Sequence, residues 1–333
     1  MNSNIITNVG AAVLAVAVFA ALPFLFPGAA MVDFIVYVAA YGLLAMSLNL
    51  LVGLTGLVAF GHAIFFASGS YTFGLLMQSG AVSIPVAVVL TVFGTAALAL
   101  VTGAICVRLK DVYFSFITLA FQMVFYSVVL TWVSLTGGDQ GLLGGIPKPV
   151  FAGIDLNNGY SLYLFCIILF AICAIIMRQV WQSPFGYTLR LIRDNATRAE
   201  FLGVNVFRMK LAVFVLSASI ASVGGIILAL FVSGAYPEFA FWTTSGDAIF
   251  ALMLGGTKLF LGPLFGAFLL ELLEHYVRAH TEYQNFVLGV VILLIVLGLK
   301  RGILDYVHDH WVRRRKADSK PAATVKLARS PDA

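Results

Sequence analysis

Charge is what this sequence has least of. Of its 333 residues only 11% are Asp, Glu, Lys or Arg, against about 25% in soluble domains. That scarcity, beside 61% apolar residues, excludes an ordinary soluble domain and leaves a polytopic membrane protein. Cysteine is nearly absent too. Cys106, Cys166 and Cys173 sit in apolar runs without metal-ligand spacing, so buried free thiols are expected and no disulfide framework is implied. There is no G-x-x-x-x-G-K-[ST] phosphate cradle. The chain is therefore not expected to hydrolyse ATP by itself. No His/Asp/Glu cluster has the spacing of a metal site, and no G-x-S-x-G elbow holds a nucleophile. Neither an enzymatic role nor a cofactor is expected.

Apolar runs are what the chain has instead. A membrane-spanning helix needs about 20 mostly apolar residues. Ten candidate segments meet or approach this: Ile5–Phe26, Val32–Val52, Phe60–Met77, Pro85–Val107, Val112–Trp132, Ser161–Met177, Lys210–Ser233, Ala248–Leu261, Leu264–Tyr276 and Tyr283–Leu299. The first lacks a basic leader and is followed by Pro23 and Pro27, so it reads as a span and not as a cleaved signal. The fold class expected is all-α, a polytopic transmembrane helical bundle of about 8–10 spans, some of them broken or re-entrant. Residues 1–312 form one membrane domain. Residues 313–333 are expected to be a disordered, basic cytoplasmic tail.

The net charge of +5 comes from Lys and Arg at helix ends and in loops. That distribution follows the positive-inside rule and gives no reason to invoke nucleic acid. Arg108, Lys110, the loop from about 178 to 210 and the Lys300–Lys316 stretch are expected inside; the Ser134–Asn158 connection is expected outside.

Two places break the apolar pattern with glycine. One is Gly53–Gly61; the other runs from Gly255 to Gly266. Paired glycine- or proline-interrupted segments in a transporter point to broken helices near the bilayer midplane, while close packing of helices explains such glycines equally well. The broken segments place Asn49, Thr55, His62, Thr118 and Gln122 where polar groups could line a translocation path. Ionisable residues within the spans are few, chiefly Glu271, Glu274 and Asp247, which speaks against proton or sodium coupling.

The 178–210 loop carries the chemistry that remains. Ser183-Pro184-Phe185-Gly186 reads as a turn, and Tyr187–Arg193 as a helix. Asn195 reads as an N-cap, Ala196–Leu202 as a short helix and Gly203 as its stop. Ala199 and Leu202 would form a small apolar face beside Arg198 and Glu200. Such a helix suits either a partner's groove or a surface of anionic membrane lipid.

Read in order, the fragments Ser47–Gly53, Gly61–Phe66, Gly69-Ser70-Tyr71, Tyr113-Phe114, Thr118–Phe121, Thr136–Leu142, Ser183–Gly186, Ile192–Asn195, Ala199–Asn205, Ser217-Ala218, Gly224-Gly225, Ser245-Gly246, Gly255-Gly256 and Gly262-Pro263 resemble the M-type membrane permeases of the branched-chain amino acid (Liv-type) ABC importers. The resemblance covers roughly Tyr41 to Gly302. It implies two ABC ATPase subunits on separate chains, a sister permease subunit in a heterodimer, a periplasmic substrate-binding protein and a bacterial inner-membrane location. It also implies that Asn195, Arg198, Ala199, Glu200, Phe201, Leu202 and Gly203 form a coupling helix docking in the ATPase. Leu57 and Ala59 stand where the family usually shows Gln and Ser, and Lys258-Leu259 replaces a Gly-Thr step. The substrate is thus open among branched-chain amino acids and the urea, short amides and aromatic compounds that relatives import. A reading from another class is a passive channel or facilitator for a small urea- or amide-like solute.

Overall fold

The computed structural model describes residues 29–142, 145–148 and 155–280, with scattered positions between 283 and 310. The expected span Ile5–Phe26 and the tail 313–333 lie outside the described residues, and Tyr283–Leu299 is described only at isolated positions. Among the described residues every regular element is a helix. In hydrocarbon each backbone N–H and C=O must be satisfied within the protein, and the helix does this within a single segment.

The helices are α1 (Ala29–Thr55), α2 (Ala63–Gln78), α3 (Ile84–Cys106), α4 (Asp111–Thr131), α5 (Val133–Thr136), α6 (Gly159–Gln182), α7 (Pro184–Asp194), α8 (Ala196–Phe201), α9 (Val206–Val232), α10 (Trp242–Gly255) and α11 (Gly262–His280). Two short 3-10 turns, Gly138–Gln140 and Pro237–Ala240, interrupt the connections. Among the described residues five helices (α1, α3, α4, α6 and α9) are long and apolar enough to cross a membrane. Their starts are locally encoded. Asn158 accepts the Tyr160 N–H at 3.1 Å to open α6, and Asn205 accepts the Arg208 N–H at 3.0 Å to open α9.

The bundle is built around α1 and α9. In their most apolar windows 78% and 72% of residues are buried, against 28% in α3 and α4, which places the first pair at the centre and the second at the rim of the bundle. Small residues permit the central contacts. A methyl group at Gly225 of α9 would collide with the backbone oxygen of Phe66 in α2, the close approach typical of helices packed in lipid.

α2 and α10 are too short to cross alone. At about 1.5 Å per residue, 16 and 14 residues span roughly 24 and 21 Å of a hydrocarbon core about 30 Å thick. Each is entered through a non-helical segment, 56–62 for α2 and 233–241 for α10, apart from its short 3-10 turn. Contacts with α1 fix their directions. Tyr41 stacks on Phe66 while Ser47 meets His62, so α2 runs antiparallel to α1. Tyr41 and Asp247 share one cavity, and Ala45 packs with Ala251, so α10 runs parallel to it. The two half-helices therefore meet head to head. The expected interruption at Gly255–Gly266 is present, between α10 and α11, but another segment faces 56–62 across the junction. The interruption that pairs with 56–62 is 233–241, where Ser233 takes a positive φ of 55° and Pro237 starts the 3-10 turn. The glycines from Gly255 to Gly266 instead form the tight connection between α10 and α11, with Gly255 packed on the backbone of Gly262.

Candidate functional site

While Arg278 lies toward one end of the bundle beside Tyr37, the other end gathers Arg108, Arg190 and Arg193. The end of α3 and the start of α9 meet there, with the Arg108 guanidinium 5.5 Å from the Phe207 ring centre. The end of α1, the end of α6 and the α10–α11 connection join them through Arg193, Trp181 and Phe260. From this end α7 and α8 project as a linked pair.

Local chemistry sets both helices. Ser183 accepts the Gly186 N–H at 3.2 Å, and Pro184 occupies the first turn of α7, where its missing N–H does no harm. Leu189 and Ile192, three residues apart, turn inward and are buried. Arg190 folds back on the preceding turn. It donates to the Trp181 carbonyl at 2.9 Å, with its guanidinium 5.0 Å from the Trp181 ring centre and 5.1 Å from that of Tyr187. Arg193 reaches away and donates to the carbonyl of Gly53 in α1 at 2.6 Å.

At the start of α8, Asn195 accepts the Arg198 N–H at 2.9 Å. At its end Gly203 has φ +84°, its N–H bonds to the Glu200 carbonyl at 2.9 Å, and the Val204 N–H bonds to that of Ala199 at 3.1 Å. This pair of bonds is a Schellman stop. The side chains do not share one apolar face as the sequence suggests. Ala199 is buried against the chain itself, whereas Phe201 is 88% and Leu202 68% exposed. The helix lays its small residue down and leaves two large apolar groups standing out. Asn195, Arg198, Glu200 and Gly203 are exposed around them.

The expected path residues fall in two groups. His62, Thr118 and Gln122 lie where α2 and α10 begin. Gln122 donates to the carbonyls of Ala240 and Phe241 at 3.0 and 2.9 Å and accepts from Ser245 Oγ at 2.7 Å. Ser245 Oγ in turn accepts the Ala63 N–H at 2.8 Å. Thr118 accepts the Gly61 N–H at 3.4 Å and donates to the Ser115 carbonyl at 2.7 Å. His62 places Nε2 3.0 Å from Ser47 Oγ and 3.3 Å from Ser217 Oγ. Both hydroxyl protons already go to carbonyls, of Leu44 and Ser47 respectively. Nε2 is therefore the donor, and Nδ1 has no partner among the described residues. Asn49 and Thr55 lie further along α1. Thr55 is bonded to the Leu51 carbonyl at 2.7 Å, and Asn49 Oδ1 has no partner among the described residues. All five residues are buried.

Ser47, Ser217 and Ser245, the partners that complete this junction, stand in the sequence among the fragments of the family resemblance but received no site role there. Sequence reasoning missed Tyr37, Tyr41 and Arg278, which line a polar cavity with Asp247, Glu271 and Glu274 between α1, α10 and α11. Arg278 pairs with Glu274 at 2.9 Å, one turn away. Hydroxyls and tyrosines within apolar runs carry little signal until the helices are assembled.

Residues 30–296 match the family described as branched-chain amino acid transport system / permease component. The chain is 26% identical over 296 residues to the high-affinity branched-chain amino acid transport system permease protein LivM of Salmonella typhimurium, covering 82% of this chain and 69% of the relative. The LivM protein of Escherichia coli K12 gives the same figures. The LivH permease protein of Salmonella typhimurium is 23% identical over 282 residues, covering 80% of this chain and 91% of the relative. No solved structure shows significant similarity. The match takes in the half-helix junction and the α7–α8 projection together, and the chain belongs to the family of branched-chain amino acid transport system permease components.

Proposed function

We propose that this chain is the membrane-embedded permease subunit of an ATP-driven ABC importer for branched-chain or related amino acids in a bacterial inner membrane. It contributes no ATPase site of its own. Two ATPase subunits, a sister permease and a periplasmic binding protein complete the machine. The observation that carries this reading is the α7–α8 pair at the basic end, with Phe201 and Leu202 held out of a packed bundle by a capped, stopped helix.

Exposed side chains of that size stabilise an interface by about 1.5–3 kcal/mol each when fully buried. Arg198 and Glu200 beside them set register and partner choice more than affinity. In this reading α8 enters a groove on an ATPase subunit. Closing of the ATPase pair on ATP then moves α7–α8 and, through them, the ends of α1 and α6, a rigid-body transition between outward- and inward-facing states. The junction of α2 and α10, with His62, Thr118 and Gln122, lies where such a transition would open or close a path, with Asn49 and Thr55 further along it. The test is site-specific photocrosslinking from positions 201 and 202 in the assembled complex. Products with an ATPase subunit support the reading, and products with lipid alone contradict it.

A further inference from the structure

We propose that Arg193 is the positioning residue that carries motion of the coupling helix into the break between α1 and α2. The inference rests on the function proposed above. It starts from a carbonyl that the helix itself cannot satisfy. Gly53 is three residues from the end of α1, among the last four positions, whose carbonyls lack an intrahelical donor. Arg193 supplies one from 140 residues away, at 2.6 Å. A cation there also complements the negative end of the helix dipole.

The surroundings make this grip stiff. A Cβ at Gly53 would lie 2.6 Å from Asn49 Oδ1 and 2.9 Å from Trp181 Cη2, so the end of α1 is wedged against the end of α6 at this point. One turn on, Gly56 adopts φ +76°, and a Cβ there would lie 3.4 Å from Arg193 Cγ. Arg193 thus spans the last turn of α1 and the first residue of segment 56–62. That segment climbs along α4, where Ser115 donates to the Val58 carbonyl at 2.6 Å and Gly61 bonds to Thr118, and it ends at the α2–α10 junction.

On the other side, Arg193 is the next-to-last residue of α7, and Asn195, the cap of α8, follows two positions later. A displacement of α8 has one residue to cross before it reaches Arg193. Arg190 does not make this link, because its guanidinium closes back on Trp181 and Tyr187 within its own hairpin. A charged hydrogen bond, beside the packing of Leu189 and Ile192 in the core, therefore joins the projecting helix to the end of α1 where the interrupted segment begins.

The experiment measures substrate molecules imported per ATP hydrolysed by the complete complex in vesicles, with leucine and its binding protein supplied. Wild type, Arg193→Ala, Arg193→Gln and Arg193→Lys are compared as assembled complexes. Loss of a hydrogen bond to a charged group shifts an equilibrium by roughly tenfold or more. The expected result is a ratio about tenfold lower in Arg193→Ala with ATP hydrolysis retained, and a ratio restored to within about threefold in Arg193→Lys, which keeps the charge and a donor. A merely structural role would lower import and hydrolysis in parallel and leave the ratio alone. Should Arg193→Ala fail to assemble, Arg193→Gln, neutral and shorter in reach, is held to the same ratio. An unchanged ratio in the neutral variants, or a Lys variant as uncoupled as Ala, overturns the proposal. Absence of ATP-dependent import in wild type instead contradicts the functional reading beneath it.

Discussion

The backbone N–H of Ala63 donates to Ser245 Oγ at 2.8 Å, across 182 residues of sequence. That bond joins the first turn of α2 to the first turn of α10. Gln122 holds the same serine and the two carbonyls that precede α10. Replacing Gln122 with Leu would strand the Ala240 carbonyl and the Ser245 hydroxyl in the interior, while the Phe241 carbonyl keeps the Thr244 N–H at 3.2 Å. Each unsatisfied buried group costs about 1–3 kcal/mol. Gln122→Leu is expected to lower the unfolding temperature in detergent and to reduce assembly, and Ser245→Ala, which strands the Ala63 N–H and Gln122 Oε1, to do so to a comparable degree. Equal stability of Gln122→Leu and wild type would show that the junction does not hold the half-helices together.

Gly203 has φ +84°, and a Cβ there would meet no atom within 4 Å. Crowding is therefore not the reason for glycine; the left-handed backbone is. Gly203→Val is expected to cost about 1–2 kcal/mol locally and to unravel the end of α8 without disturbing the bundle. The permease pair still assembles, yet transport and transport-stimulated ATP hydrolysis fall together. Retention of both activities would remove α8 from the coupling path.

Phe201 and Leu202 contribute little to the chain's own packing, since both are largely exposed. Phe201→Ser with Leu202→Ser should leave thermal stability of the isolated permease within about 0.5 kcal/mol of wild type. Affinity for the ATPase subunits should drop by at least roughly tenfold, given about 1.5–3 kcal/mol for each buried side chain. Titration of detergent-solubilised permease with ATPase reads the difference. Unchanged affinity would mean that the partner grips another face.

The cap and stop of α8 were legible from sequence because Asn195 and Gly203 act on backbone within three residues of themselves. So were the long apolar helices, whose chemistry is uniform over their whole length. The direction of Ala199 was not legible, because it depends on how a six-residue helix settles on the rest of the chain. For a related reason the interruption that faces 56–62 was not anticipated. Glycine density drew attention to Gly255–Gly266, while the break at 233–241 is made by Ser233, Pro237 and the distant Gln122. Arg193 was recognised as basic and taken to face inside. Its bond to Gly53 spans 140 residues and leaves no local mark.

Orientation gives a further prediction. Cysteines at Ser161 and within the Gly137–Gly144 connection should label from outside intact cells. Cysteines at Arg193 and Lys316 should label only after the membrane is permeabilised. The expectation follows from the Lys and Arg distribution. External labelling at Arg193 would invert the bundle and separate α8 from any ATPase.

The central claim is that this bundle moves its substrate only when an ATPase on other chains works through it. Uptake of radiolabelled leucine by vesicles holding the full complex tests that most directly, with ATP inside or outside the pathway of hydrolysis and with or without the binding protein. The account predicts concentrative uptake that requires both hydrolysable ATP and the binding protein and that stops when ATP is replaced by a non-hydrolysable analogue. Uptake that proceeds down a gradient at the same rate without ATP or binding protein would contradict it and identify a passive channel.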